Sequence, residues 1–248
     1  MACGSRGRHP QAAGWSLWPG RSSGSVTGVR TLLDLVLPAE CGGCRAPGVP
    51  WCRQCARAVA TAEPFALRPR VSGVPPAWAA GAYAGPWRGA VIAVKERGRR
   101  DLVRPLGAAL AGAVADLRTW GELDPPQLAP LTLVVAPSRG AAARRRGGDP
   151  VARVARAAAE HLGGEEVAVL ACLRTARGAR DSVGLSAVER SANLHGRVRV
   201  RGALPAAGTS VVLVDDVLTT GATAAAGTAA LAALGVRVHA VVVLAAVL

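Results

Sequence analysis

Runs of aliphatic residues alternate with amphipathic stretches along most of this chain. Five segments read as strands: AWAAGAYAG (77–85), LTLVVAP (131–137), EEVAVLACLR (165–174), VVLVDD (211–216) and VRVHAVVVLAAV (236–247). Segments 86–98, 101–120, 151–164 and 223–235 read as helices. The punctuation agrees. Pro86 suits a first helical position, and Gly98 ends that helix. Asp101 stands where it would cap the second helix. Asp149 and Pro150 make an N-cap and first-position pair for the third, which closes on Gly163 and Gly164. Strands alternating with helices predict an α/β fold, a parallel sheet with helices on both faces. The strands are continuous aliphatic runs, as strands covered on both faces require.

The pattern also divides the chain. Residues 1–28 are rich in Gly, Ser and Arg without periodicity, and are expected to be a disordered tail or a start assigned too early. Residues 29–60 hold a short helical stretch, TLLDLVLPAE, ended by Pro38, and then four cysteines. Residues 61–77 are expected to be a Pro-containing linker, and residues 78–248 the main α/β domain.

Composition changes the picture in three ways. Hydrophobic residues are 50% of the chain but aromatics only 3%, so the core must be built from Ala, Val and Leu. The net charge of +14 predicts attraction to polyanions such as nucleic acid, nucleotides or acidic membrane surfaces. Part of that charge reflects a general bias to Arg, since Lys95 is the only lysine. No apolar run is long enough to span a membrane, and the first twenty residues lack the apolar segment of a secretory signal. The expected location is the cytoplasm, where cysteines are metal ligands or free thiols more often than disulfides.

The chemistry begins at VVLVDDVLTTGAT (211–223). A buried strand ends in Asp215 and Asp216 and passes at once into a Thr-Gly loop that opens a helix. Ligands of parallel sheets sit beyond the carboxyl ends of the strands. Backbone N–H groups of Thr219, Thr220, Gly221, Ala222 and Thr223 would make an anion nest backed by the helix dipole. Gly221 lets the backbone come close to a phosphate. Two carboxylates beside a phosphate loop make sense for a sugar phosphate, whose hydroxyls they accept, and they would help hold Mg²⁺ through water. The bland alternative is a strand and a capped helix that bind nothing.

In CGGCRAPGVPWCRQC, Cys41 with Cys44 and Cys52 with Cys55 form two Cys-x-x-Cys pairs. Four thiolates make a closed tetrahedral Zn²⁺ site with no open position, hence a structural zinc knuckle. A redox pair or unrelated thiols are the alternatives. Cys3 and Cys172 have no partners. Lys95 closes a predicted helix in AVKERG. In a chain that writes its other cations as Arg, a lysine there hints that a compact ammonium is wanted, or simply suits the negative end of the helix dipole.

VVLVDDVLTTGAT resembles the phosphoribosyl pyrophosphate (PRPP) signature of type I phosphoribosyltransferases at all thirteen positions. The order of LLDLVLPAECGGC…WCRQC, AYAGPWRGAVIAVKERG, LVVAPSRGAAARRRGG and VGLSAVERSANLHGRVRV before it resembles the ComF (GntX-like) family of competence proteins, over residues 31–247. The resemblance implies a type I phosphoribosyltransferase-like sheet behind a four-cysteine knuckle. It implies phosphoribosyl transfer with release of pyrophosphate, and a link to DNA uptake. Asp215 and Asp216 would be the catalytic pair. PRPP would also touch residues 219–223, Lys95, Ser138 and Arg139, and Arg190 and Asn193 would stand on a loop over the site. Arg190 could equally clamp Glu189. A PRPP-sensing adaptor without catalysis, or an accessory that handles single-stranded DNA with Trp51 and competence-machinery partners, are the other readings. The chain departs from the family at RGGDP (146–150), where Gly148, Asp149 and Pro150 replace a bulky apolar residue and two amides, and at Ser182, which replaces a glutamine. The acceptor substrate stays open.

Overall fold

A computed structural model describes residues 39–137, 148–164, 166–176 and 196–247. The predicted tail, the 31–40 helix as far as Pro38, Cys3, Ser138, Arg139, Arg144–Arg146, Glu189, Arg190 and Asn193 lie outside them. The strands are β1 (Phe65–Leu67), β2 (Ala77–Ala79), β3 (Leu131–Val135), β4 (Val167–Leu170), β5 (Leu173–Thr175), β6 (Val198–Val200), β7 (Ser210–Leu218) and β8 (Ala240–Ala246). The helices are α1 (Arg53–Ala60), α2 (Gly85–Lys95), α3 (Val103–Thr119), α4 (Pro150–His161) and α5 (Ala222–Ala232).

Six strands form one mixed α/β sheet in the order β1-β2-β8-β7-β3-β4. All neighbours are parallel except β1, an antiparallel edge on β2. The aliphatic runs explain the centre: every residue of β3 and β8 is buried. One face of the sheet packs α2, α3 and α4 through Val212, Val214, Leu131 and Leu133. The other face packs α5 and the β5–β6 hairpin through Leu213, Val241 and Val243. Helices on opposite faces follow from the connections. The chain leaves β3 for β4 through α4 in one direction, and β7 for β8 through α5 in the other. Right-handed crossovers in opposite directions put their helices on opposite faces. The gap between β3 and β7 is therefore the switch point where a ligand crevice opens.

Several sequence expectations change here. Asp101 does not cap α3. The helix starts after Leu102 with no side-chain cap, because Asp101 takes two charge-assisted bonds from Arg99, at 2.8 and 2.6 Å. EEVAVLACLR is not one strand. Its first half pairs with β3, and after Ala171 the chain turns away to pair with β6, burying Cys172 and Leu173 against the other face. AWAAGAYAG is a regular strand only over its first three residues; beyond them it bends, rejoining β8 by a single bridge at Ala82–Ala246 before α2 begins. Residues 65–67, within the stretch expected to be a linker, are the edge strand β1. Asp149 does cap α4, accepting bonds from Val151 N at 2.9 Å and Ala152 N at 3.3 Å.

Candidate functional site

The strand carrying the acids runs further than its sequence pattern predicts. β7 continues through Asp215 and Asp216 to Leu218, paired with β8 as far as Ala246. Its pairing with β3 ends at Val135 and Val214. The acids therefore overhang the end of β3, on a stretch of β7 that has a neighbour on one side only. Successive side chains of a strand point to opposite faces, and this separates the two acids. Asp216 shares the face of α2. Asp215 lines the mouth of a cleft on the face of α5.

That cleft measures about 140 Å³ and is lined by Asp215, Thr219, Thr220, Gly221, Ala222 and Thr223, together with Val217, Leu218, Ala224 and Val243. Its volume admits several water-sized groups. Ala225 N–H is the first bonded within α5, to Gly221 O at 2.8 Å. Ala222 N–H is taken by Thr220 Oγ1 at 3.3 Å. The N–H groups of Thr223 and Ala224 belong to the first turn and have no helical partner, so the helix offers them at the cleft. Gly221 sits at φ 88°, in the left-handed region. A Cβ on it would lie 2.9 Å from Pro69 Cβ and 3.2 Å from Val74 Cγ2. The 68–74 segment is thus a wall of the loop, fastened by Arg70 N–H donating to Thr220 O at 3.0 Å. Nothing in the apolar pattern of RPRVSGV signals this wall.

On the other face, Lys95 Nζ pairs with Asp216 Oδ2 at 2.7 Å, with side chains 41% and 14% exposed respectively. Burial works against the Lys95 ammonium, but the Asp216 charge and hydrogen bond outweigh it, and the pKa lies above its ordinary value. Asp215 is pushed up to about 7. Removal of water is the largest cause, although the side chain keeps some exposure to the cleft, and the Asp216 carboxylate comes second. Asp216 N–H, donating to Asp215 Oδ1 at 2.8 Å, and Lys95 act the other way. Asp149 adds further repulsion, a role beyond the helix cap that its sequence position predicts.

Asp215 binds its proton more tightly folded than unfolded, so its contribution to stability is greatest below about pH 4 and falls as pH rises to about 7. Replacing Asp215 by Asn is expected to remove that slope and raise stability at pH 8 by about 2 kcal/mol. Denaturant unfolding of both proteins from pH 4 to pH 8 checks it, and parallel curves would refute it.

The four cysteines converge. Their sulfur atoms all lie within 4.8 Å of one another, and Cys44 Sγ to Cys52 Sγ is 3.8 Å. Metal–sulfur bonds of about 2.3 Å in a tetrahedron give a sulfur–sulfur edge of about 3.8 Å. Cys52 also caps α1, accepting from Cys55 N. Burial opposes ionisation of Cys41, but N–H groups of Cys44, Cys52 and Gly43 prevail and bring its pKa down to about 6. A Cys41 thiolate held by backbone N–H groups suits a metal, while burial and then the neighbouring sulfurs push the Cys55 thiol well up when no metal is bound. The knuckle sits directly on the domain. A Cβ at Gly89 of α2 would collide with Gly43 O, and one at Gly42 would collide with Leu102 Cδ1. Arg99 ties the knuckle down through Glu40 O and Pro50 O, both at 2.9 Å.

The fold and site define a mixed α/β protein with an acid-flanked, N–H-lined cleft at the carboxyl end of β7 and a four-cysteine cluster able to hold a metal ion. No helix among the described residues is long and apolar enough to cross a membrane. No protein-family model matches the chain, and no curated protein matches it.

Proposed function

We propose that this protein binds PRPP in the 215–223 cleft and transfers its phosphoribosyl group to a nitrogen acceptor, releasing pyrophosphate. The observation that carries the reading is the joining of Asp215 and residues 219–223 in one cleft at the carboxyl end of β7. The 5′-phosphate takes the orphan N–H groups of α5 and the Thr219 and Thr223 hydroxyls. Asp215 and Asp216 accept hydrogen bonds from the ribose hydroxyls. The bond from C1 to pyrophosphate oxygen breaks, and the leaving group keeps the electron pair. The carboxylates stabilise the positive charge at C1. The acceptor nitrogen then bonds to C1 and loses its proton to solvent. Mg²⁺ held by the diphosphate and the acids would neutralise the leaving group, and Zn²⁺ in the cysteine cluster is structural.

The ComF-like order of motifs extends the proposal to a cytoplasmic protein of DNA uptake. Ser138, Arg139, Arg190 and Asn193 belong to it as further ligand contacts on the strength of that resemblance alone. Calorimetric titration with PRPP, with and without Mg²⁺, tests the reading against the Asp215→Ala/Asp216→Ala variant. Expected is Mg²⁺-dependent binding that the variant loses. Absence of binding in a folded, metal-loaded sample would overturn it.

A further inference from the structure

We infer that Lys95 is an exchanging cation, which pairs with Asp216 in the free protein and moves onto the diphosphate of a bound ligand, freeing Asp216 for the sugar hydroxyls. The inference rests on the proposed PRPP reading and deepens it by naming what distinguishes a diphosphorylated sugar from a monophosphate.

The geometry points this way. The pair is lopsided, with the lysine half-exposed and the carboxylate nearly covered. An ammonium has three donors, and Asp216 is its one ion-pair partner among the described residues. Residues 219–223 supply N–H groups and hydroxyls but no charged side chain. Among the described residues, Lys95 is thus the cation paired with the acids, at the end of α2. Asp216 in turn has no other side-chain partner among the described residues. If the ammonium left with nothing in exchange, a nearly buried carboxylate would stand uncompensated, which is costly. Sugar hydroxyls arriving as the ammonium leaves supply the missing donors.

Movement needs little repacking. Below the pair lies a small void of about 10 Å³, lined by Val91, Val94, Lys95, Val151, Val154 and Asp216. It takes one water at most, and its other walls are aliphatic. No polar group there holds the lysine stem. A diphosphate carries more charge than one carboxylate, so it wins the ammonium when it is present.

Ribose 5-phosphate and PRPP separate the possibilities, titrated against the wild type, Lys95→Met and Lys95→Arg. Expected for Lys95→Met is a loss of PRPP affinity by about 100-fold, in the range of a charge-assisted contact. Ribose 5-phosphate affinity should stay within about three-fold. Lys95→Arg should fall between for PRPP. Because Lys95 is the only lysine, its ¹³Cε resonance in lysine-labelled wild type should shift with PRPP and hold with ribose 5-phosphate. That reading needs no variant to fold. Equal losses for both ligands would make Lys95 a support for Asp216 and overturn the exchange, as would an unmoved resonance with bound PRPP. A wild type that binds neither ligand would overturn the PRPP reading itself, and the exchange with it.

Discussion

Cys55→Ser is expected to cost ~3–5 kcal/mol and to lower the melting temperature by about 10 °C. Stripping the metal with a chelator should do the same to the wild type. Cys55 is 1% exposed and its sulfur lies against Gly43, where an added Cβ would come within 2.7 Å of it. A serine there offers the metal a hydroxyl that stays protonated, a far weaker ligand than a thiolate, and leaves that hydroxyl buried. The loss then spreads beyond the knuckle. Arg99 loses its carbonyl partners at Glu40 and Pro50, and Leu102, fully buried beneath Gly42, meets water. Cys172→Ser is the control, a buried thiol remote in sequence from the cluster. Thermal unfolding with metal analysis decides the matter. Cys55→Ser should lose bound metal along with stability, and Cys172→Ser should keep its metal. Full metal content in Cys55→Ser would show that the cluster does not ligate as a set of four.

Gly221→Val is expected to cost ~2–4 kcal/mol. A left-handed conformation costs a residue with a side chain about 1–2 kcal/mol, and β-branching adds to it. The rest comes from contact, since the new Cβ would press on Pro69 and Val74 and push the 68–74 wall off the loop. Gly208 offers the comparison. It lies at φ 75°, and a Cβ there would meet nothing within 4 Å, so Gly208→Val reports conformational strain alone. Thermal unfolding should rank Gly221→Val well below Gly208→Val. Equal costs would mean that the wall yields freely and does not position the loop.

Much of this architecture is legible in the sequence because its signals are local. The aliphatic runs at 131–135 and 240–246 can only be covered strands, and Asp149–Pro150 can hardly do other than start a helix. Two Cys-x-x-Cys pairs announce their cluster, and the acid pair and Thr-Gly loop announce their cleft. What escapes depends on distant partners or on competition. Asp101 has the position of a cap, but Arg99 claims it. Phe65–Leu67 has no periodicity to show and is a strand because β2 lies beside it. The Lys95–Asp216 pair joins residues 121 positions apart, which no local pattern encodes. Asp215 and Asp216 read as one unit because they are adjacent, yet strand alternation turns them to different faces.

The order of the strands also dictates an order of events during synthesis. β8 lies later in the chain than every strand it joins, yet it stands between β2 and β7. As the ribosome delivers the chain, β3, β4 and β7 can assemble, and β1 can fold onto β2, but the two groups have no common edge until Ala240–Ala246 emerges. From Ala79 to Ala240 the ribosome needs roughly 10–30 s. Through that interval β2 holds an open parallel edge, and β7 joins it for the last roughly 1–4 s, between Leu218 and Ala240; such edges recruit foreign strands. A nascent chain stalled before residue 240 would therefore hold two unjoined fragments of sheet, and chaperones would meet this protein in that form.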